Sequence, residues 1–439
     1  MSLLTRIPHG RIPQAVLRRA YATVADVSGV KVAGIETGQP AATTSLTVVV
    51  KAGSRYETKP GVAHALKSFA YKSTSAGSAL KTTRETELYG GVLSATLGRE
   101  HLYLTAEFLR GDEAHFLSLL ASVLSSTHFY PHEYAELVLP TLEAETLSAI
   151  SSPTTLALDL AHQLAFRHGL GNSLFASPHS PVSVTDVKSF AQQAFAKSNI
   201  AVLGSGISTD ALSKAVQKAF GSGSASGSST LAPGSTKYFG GEQRVPLDLH
   251  ANPAAQPTMI IAYGSTSAPS PELKVLPHLL GGVSSVKWCD GASPLSQAAA
   301  KVPGASAEAI LLPYSDASLF GVIISAPTSE GVAMVAKDVA VALKAAGKGV
   351  KDDEVKRAIA KAKFADATAS ERVASLISTA GPALFSSGGV AAPDASFSAL
   401  QKVSPTALVK AAKELFQPKP TIVAVGNLSV LPFGDELGL

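Results

Sequence analysis

Residues 61–74 read Gly-Val-Ala-His-Ala-Leu-Lys-Ser-Phe-Ala-Tyr-Lys-Ser-Thr. A helix carrying H-x-x-E-H presents two histidines at i and i+4 as zinc ligands and the glutamate as general base. The five corresponding positions here are His64, Ala65, Leu66, Lys67 and Ser68. The first ligand is present, but a lysine stands at the base and a serine at the second ligand. A protonated lysine cannot take a proton from zinc-bound water, and its charge opposes a nearby cation. One histidine is too few, because catalytic zinc usually takes three protein ligands. The segment therefore predicts the frame of a zinc hydrolase without its reaction, with no metal ligand set and no catalytic residue.

Other chemistry-bearing residues give less. His162 and His168 are not an i, i+4 pair and do not share a helix face. Gly281-Gly282-Val283-Ser284-Ser285 lacks the lysine and the spacing of a phosphate loop and reads as a turn. Ser183 and Ser404 stand where a helix would begin and read as caps, not nucleophiles; there is no G-x-S-x-G elbow. Cys289 is the one cysteine, which excludes an intrachain disulfide and a cysteine zinc site. It equally excludes C-x-x-C-H haem attachment and a cysteine-held iron–sulfur cluster, so no cofactor is expected.

A chain of 439 residues is too long for one ordinary core, and two or more domains are expected. Charged residues make up only 16%, against 46% hydrophobic, which predicts a well-buried protein. No run of 18 apolar residues occurs, so attachment to a membrane would run through partner subunits. Residues 1–21 hold Arg6, Arg11, Arg18 and Arg19, with no acid before Asp26 and apolar residues between the arginines. These are the marks of a mitochondrial transit peptide; Arg19-Ala20-Tyr21 followed by Ala22 resembles a cleavage site, and a secretory h-region is lacking. The formal charge of +4 resides in those arginines, and a neutral body argues against nucleic-acid binding.

The elements that must position these residues follow from periodicity. Residues 221–236, GSGSASGSSTLAPGST, read as a flexible linker between an N-terminal domain (22–220) and a C-terminal domain (237–439). The two flanking segments end alike. Val182-Ser183-Val184-Thr185 opens a helix ending at Ala194-Phe195, followed by Ile200-Ala201-Val202-Leu203-Gly204. Val403-Ser404-Pro405-Thr406 opens another ending at Leu415-Phe416, followed by Ile422-Val423-Ala424-Val425-Gly426. Capping serine, helix, buried strand and glycine turn recur in the same order, which predicts a duplicated α+β domain. Thr44 to Val50, His101 to Glu107, Ile310 to Leu312 and Phe320 to Ile324 read as strands. Leu156, Leu160 and Leu164 mark one helix face; Val332, Val335, Val339 and Ala342 mark another, ended by Gly347.

Several short motifs then occur together and in order: Gly61-Val62-Ala63-His64, Lys81-Thr82-Thr83-Arg84, Gly90-Gly91-Val92-Leu93-Ser94, Arg99-Glu100 and Leu109-Arg110-Gly111-Asp112. Beyond the linker come Lys237 to Glu242, Gln297 to Lys301, Tyr314-Ser315-Asp316 with Leu319-Phe320-Gly321, and Phe433 to Leu437. With these the chain resembles the pitrilysin-type metallopeptidase superfamily, and within it the core subunits of the mitochondrial cytochrome bc1 complex (complex III). The resemblance implies two similar α+β domains, each a mixed β-sheet flanked by α-helices, forming a shell around a crevice. It implies that the third metal position lies on a later helix, at Glu145 or Glu143. His64, Lys67, Ser68 and Glu145 would then be a vestigial site. Active relatives also use a second-domain Tyr, matched by Tyr314, and an Arg-rich pattern that Val286 to Leu295 lacks.

The function this resemblance implies is a non-catalytic scaffold subunit, peripheral on the matrix side of the inner membrane, in a dimeric complex. Its implied partners are a sister core subunit, cytochrome b, cytochrome c1 and the iron–sulfur protein. The alternative is the non-catalytic α subunit of the matrix processing peptidase. That subunit carries a glycine-rich loop, whereas Leu280 to Pro294 holds glycine only at 281, 282 and 291. A third reading, an active zinc peptidase with substituted ligands, is opposed by Lys67.

Overall fold

The computed structural model describes residues 23–35, 42–220, 231–247, 252, 254–283, 289, 291–386 and 393–439. The transit-peptide segment, the first ten residues of the linker, and residues 286–288 and 290 of the stretch without the Arg-rich pattern lie outside them.

Two mixed sheets organise the chain. The first comprises β1 (Thr23–Val27), β2 (Val30–Ile35), β3 (Thr43–Val50), β4 (Val92–Leu97), β5 (Leu102–Leu109) and β6 (Ile200–Ser205), in the order β1-β2-β6-β3-β5-β4. The second comprises β7 (Gly241–Pro246), β8 (Thr258–Ser265), β9 (Ser306–Pro313), β10 (Ser318–Ser325) and β11 (Thr421–Gly426), in the order β7-β11-β8-β10-β9. In each sheet the last strand in sequence enters between the first and second of a common pattern. β6 runs parallel to β2 and antiparallel to β3; β11 runs parallel to β7 and antiparallel to β8. The repeat of serine-capped helix and buried strand is therefore a repeat of topology, and the expected α+β architecture of two similar halves is found. Ser183 accepts from Asp186 N in a full capping box before Val184–Ala194, and Ser404 accepts from Ala407 N before Pro405–Leu415.

The central strands are buried on both faces, which is why they read as runs and not alternations: β3 is Thr-Thr-Ser-Leu-Thr-Val-Val-Val, and all but Thr43 are buried. The hairpin of β1 and β2 escaped the sequence reading. Its signal was Ser28-Gly29, both at positive φ, the geometry of a two-residue hairpin turn.

The halves exchange helices. Helix Pro153–Phe166 belongs by sequence to the first half but buries Ala157, Ala161, Ala165 and Phe166 against Ile260, Ala262, Val423 and Val425 of the second sheet. Reciprocally, Val373–Ser386 sets Ile377, Ala380 and Leu384 against Ala33, Val49, Ala201 and Leu203 of the first. This corrects the face assigned to the first helix. Leu156, Leu160 and Leu164 are only half-buried, because a helix lying flat on a sheet puts its small residues at the closest approach. In Ser329–Ala346, Val332, Val335 and Val339 are buried as expected, and Gly347 caps the end in a right-handed conformation.

Residues 231–236 carry no regular structure but are pinned. Arg55 Nη2 donates to Gly234 O at 3.2 Å and to Thr236 Oγ1 at 2.9 Å. The end of the glycine- and serine-rich stretch is thus held against the first half. Among the described residues no helix is long and apolar enough to cross a membrane.

Candidate functional site

The helix bearing the degenerate motif, Val62–Ser68, is short and starts from Gly61 at φ 89°. Only glycine fits there: a Cβ would stand 2.7 Å from the Ala176 Cα, and the left-handed backbone is strained for other residues. Glu57 completes the start, its Oε2 accepting from Gly61 N at 3.1 Å and Ala63 N at 3.4 Å. Glu57 Oε1 is buried without a partner, and burial pushes this carboxyl up to about 8, so it carries a proton at neutral pH. The opposing helix, Leu139–Ser151, follows directly on a π-helical turn, Tyr134–Val138. Such turns often mark functional regions.

Three of the four predicted positions meet. His64 Nε2 lies 2.6 Å from Glu145 Oε2, and Lys67 Nζ donates to Glu145 Oε1 at 2.6 Å and Oε2 at 2.5 Å. Glu143, the alternative, is exposed and contributes nothing to this contact. The fourth, Ser68, has a buried Oγ without a hydrogen-bond partner. Burial raises the Glu145 carboxyl, but the hydrogen bonds from Lys67 and His64 outweigh it and hold the group below the usual carboxylate range. Burial lowers His64, which is neutral at neutral pH despite the nearby carboxylate.

The tautomer of His64 follows from its second contact. Ala176 N donates to Nδ1 at 3.0 Å, so Nδ1 carries the lone pair and the ring proton sits on Nε2, pointing at Glu145. A histidine metal ligand shows the reverse pattern, donating its second N–H to an acceptor so that the ligating nitrogen is free. The donor set therefore does not fit zinc. The nitrogen that would bind is protonated, the carboxylate already holds an ammonium, and Ser68 offers no imidazole. Among the described residues no group of three His, Cys, Asp or Glu is placed to hold a metal ion.

A second polar cluster joins the halves, and only its motifs, not its geometry, were legible beforehand. The Arg55 side chain is 1% exposed and its Nη1 donates to Glu100 Oε1 at 2.6 Å and Asp316 Oδ1 at 2.7 Å. Nη2 reaches Asp316 Oδ2 at 2.7 Å. Ser315 donates to Glu100 through both Oγ, at 2.5 Å, and N, at 3.0 Å. Next to it, Arg99 pairs with Asp159 at 2.7 Å and donates to Leu170 O at 3.0 Å. The Arg-Glu motif at 99–100 and the Tyr-Ser-Asp motif at 314–316 are thus in contact. Arg55, Glu57 and Asp159 carried no motif and were missed.

Tyr314 is held by this interface. His162 donates through Nδ1 to Leu158 O at 2.7 Å, so its Nε2 accepts from Tyr314 Oη at 2.7 Å. Burial pushes the phenol up to about 12 and the imidazole well down, so the pair is neutral. His168 is exposed and separate from it.

Two family descriptions match the chain: insulinase, peptidase family M16, over residues 32–177, and the peptidase M16 inactive domain over residues 181–362. A protein of Cryptococcus neoformans var. grubii named cytochrome b-c1 complex subunit 2, mitochondrial, is 60% identical over 100% of both chains. A Neurospora crassa protein of the same name is 41% identical over 94% of this chain and 90% of its own length. The human protein of that name is 29% identical over 93% and 90%.

Proposed function

The chain belongs to peptidase family M16, and on that premise we propose that it is a non-catalytic core subunit of the mitochondrial cytochrome b-c1 complex. The observation that carries the non-catalytic part is Lys67: its ammonium sits on Glu145, where a metal would need the carboxylate free. The full-length likeness to proteins named as subunit 2 of that complex carries the assignment to the complex. The protein is mitochondrial and works among the other subunits of the complex. We infer further that it sits peripherally on the matrix side of the inner membrane, in a dimeric assembly. There it would pair with a sister core subunit and stand near cytochrome b, cytochrome c1 and the iron–sulfur protein. Residues 1–21 serve as an import sequence, and 22–220 and 237–439 as the two halves joined through 221–236. His64, Lys67, Ser68 and Glu145 are what remains of a peptidase site. Purification of the complex from mitochondrial membranes tests this. The chain is expected at a fixed ratio to the b- and c-type haem signals. Its recovery in a soluble, haem-free fraction would overturn the assignment.

A further inference from the structure

In the second half, far in sequence from His64, three helices leave a hollow of about 250 Å³ between the end of Pro271–Leu280, the end of Ser329–Ala346 and the first turns of Asp352–Glu371. It exists because the walls carry small residues where the helices converge: Ala342, Ala346, Ala358 and Gly349. The floor is apolar, with Leu280 and Ala358 each 1% exposed. At the rim stand Arg357 and Lys361, four residues apart on one helix face.

These two cations are not neutralised. Among the described residues neither has a carboxylate within salt-bridge distance, and the only bond of the Arg357 guanidinium is a long one to Asp353 O at 3.4 Å. Glu354 is the one carboxylate among the residues lining the hollow, and it reaches neither cation. Glu354 Oε2 accepts from Lys351 N at 3.3 Å in the capping box of its own helix, and Asp366 accepts from Ser396 Oγ at 2.6 Å. His278 lines the same hollow, half-buried and kept neutral by that burial.

We propose that this hollow binds a small amphipathic anion, a carboxylate on a short apolar tail, with Arg357 and Lys361 holding the carboxylate and the alanine-lined floor holding the tail. The planar fork of arginine matches a carboxylate with two parallel hydrogen bonds, and a lysine beside it adds a point charge. The volume lies just below the range of drug-sized ligand pockets, which begins at about 300 Å³, so the tail is short.

The test is calorimetric titration of the full chain with octanoate, with octanol (tail without charge) and acetate (charge without tail) as the two controls. Octanoate is expected to bind at least roughly tenfold more tightly than either control. Arg357→Gln with Lys361→Gln, both at exposed positions, should weaken octanoate by roughly tenfold or more. Ala342→Leu, which fills the hollow from a half-buried position, should abolish binding with the circular dichroism spectrum unchanged. No octanoate binding at millimolar concentration overturns the proposal. So does binding that both variants leave intact, which would mark nonspecific apolar association, or octanol binding as tight as octanoate.

Discussion

Removing Arg55 should loosen the two halves from each other, and its size can be worked from the exposure of its partners. Arg55→Met leaves two carboxylates that the guanidinium now holds. Asp316 is 39% exposed and can turn to water, so its loss counts for little. Glu100 is 7% exposed and, among the described residues, would keep only Ser315 as donor. An unpaired buried charge of this kind costs about 3–5 kcal/mol. Most of that penalty is the stranded charge, so adding Glu100→Gln should recover about half of it, even though a further native group is removed. The assay is urea unfolding followed by circular dichroism, comparing midpoints at matched slope. Unfolding of two halves need not be two-state, so where the transition splits, the earlier step is the one compared. A loss below about 1 kcal/mol for Arg55→Met would refute the reasoning, because it would mean that water reaches Glu100. A double variant as unstable as the single one would show that packing, not charge, holds the interface.

Three further outcomes follow from the same contacts. Lys67→Glu with Ser68→His rebuilds H-x-x-E-H, and should gain zinc affinity measurable by calorimetry but little or no peptide turnover. The gain should be modest, since zinc on Nε2 needs the ring proton moved to Nδ1, where it ends the hydrogen bond from Ala176 N–H, a loss of about 1–3 kcal/mol; no gain at all would mean that the two helices do not face each other as described. Lys67→Met should let the Glu145 carboxyl rise, as read by NMR titration. The stability lost, about 1 kcal/mol at this partly exposed pair, should be present above the unfolded carboxylate value and vanish as pH falls through the lowered folded one; a deficit that persists in acid would contradict it. Glu57 has the opposite sign: its folded value of about 8 lies above the ordinary 4.5, so the native state binds the extra proton and its contribution is lost as pH rises through that window. Glu57→Gln should match wild type near the lower bound and exceed it in thermal stability near the upper, and parallel pH profiles would refute the assignment.

The sequence by itself determined the local and the repeated. Runs rich in β-branched residues such as Thr43–Val50 and Thr421–Gly426 favour strands, because those side chains suit a pleated, doubly buried position. Ser183 and Ser404 cap helices through bonds that span three residues, so the duplicated helix-and-strand unit was readable from spacing. That Lys67 and Ser68 do not supply the base and second imidazole of H-x-x-E-H was equally plain, since it depends only on residue type at fixed helical offsets. What only the tertiary structure decided are contacts between residues far apart in the chain. That Glu145 and not Glu143 meets His64 and Lys67 depends on which face Leu139–Ser151 turns to Val62–Ser68. The proton on His64 Nε2 is set by a backbone N–H from Ala176, a residue with no side-chain signal. The joining of Arg55 to Asp316 and the exchange of Pro153–Phe166 for Val373–Ser386 are pairings across the linker. Periodicity reports which face of an element is apolar; it does not report which distant sheet will cover that face.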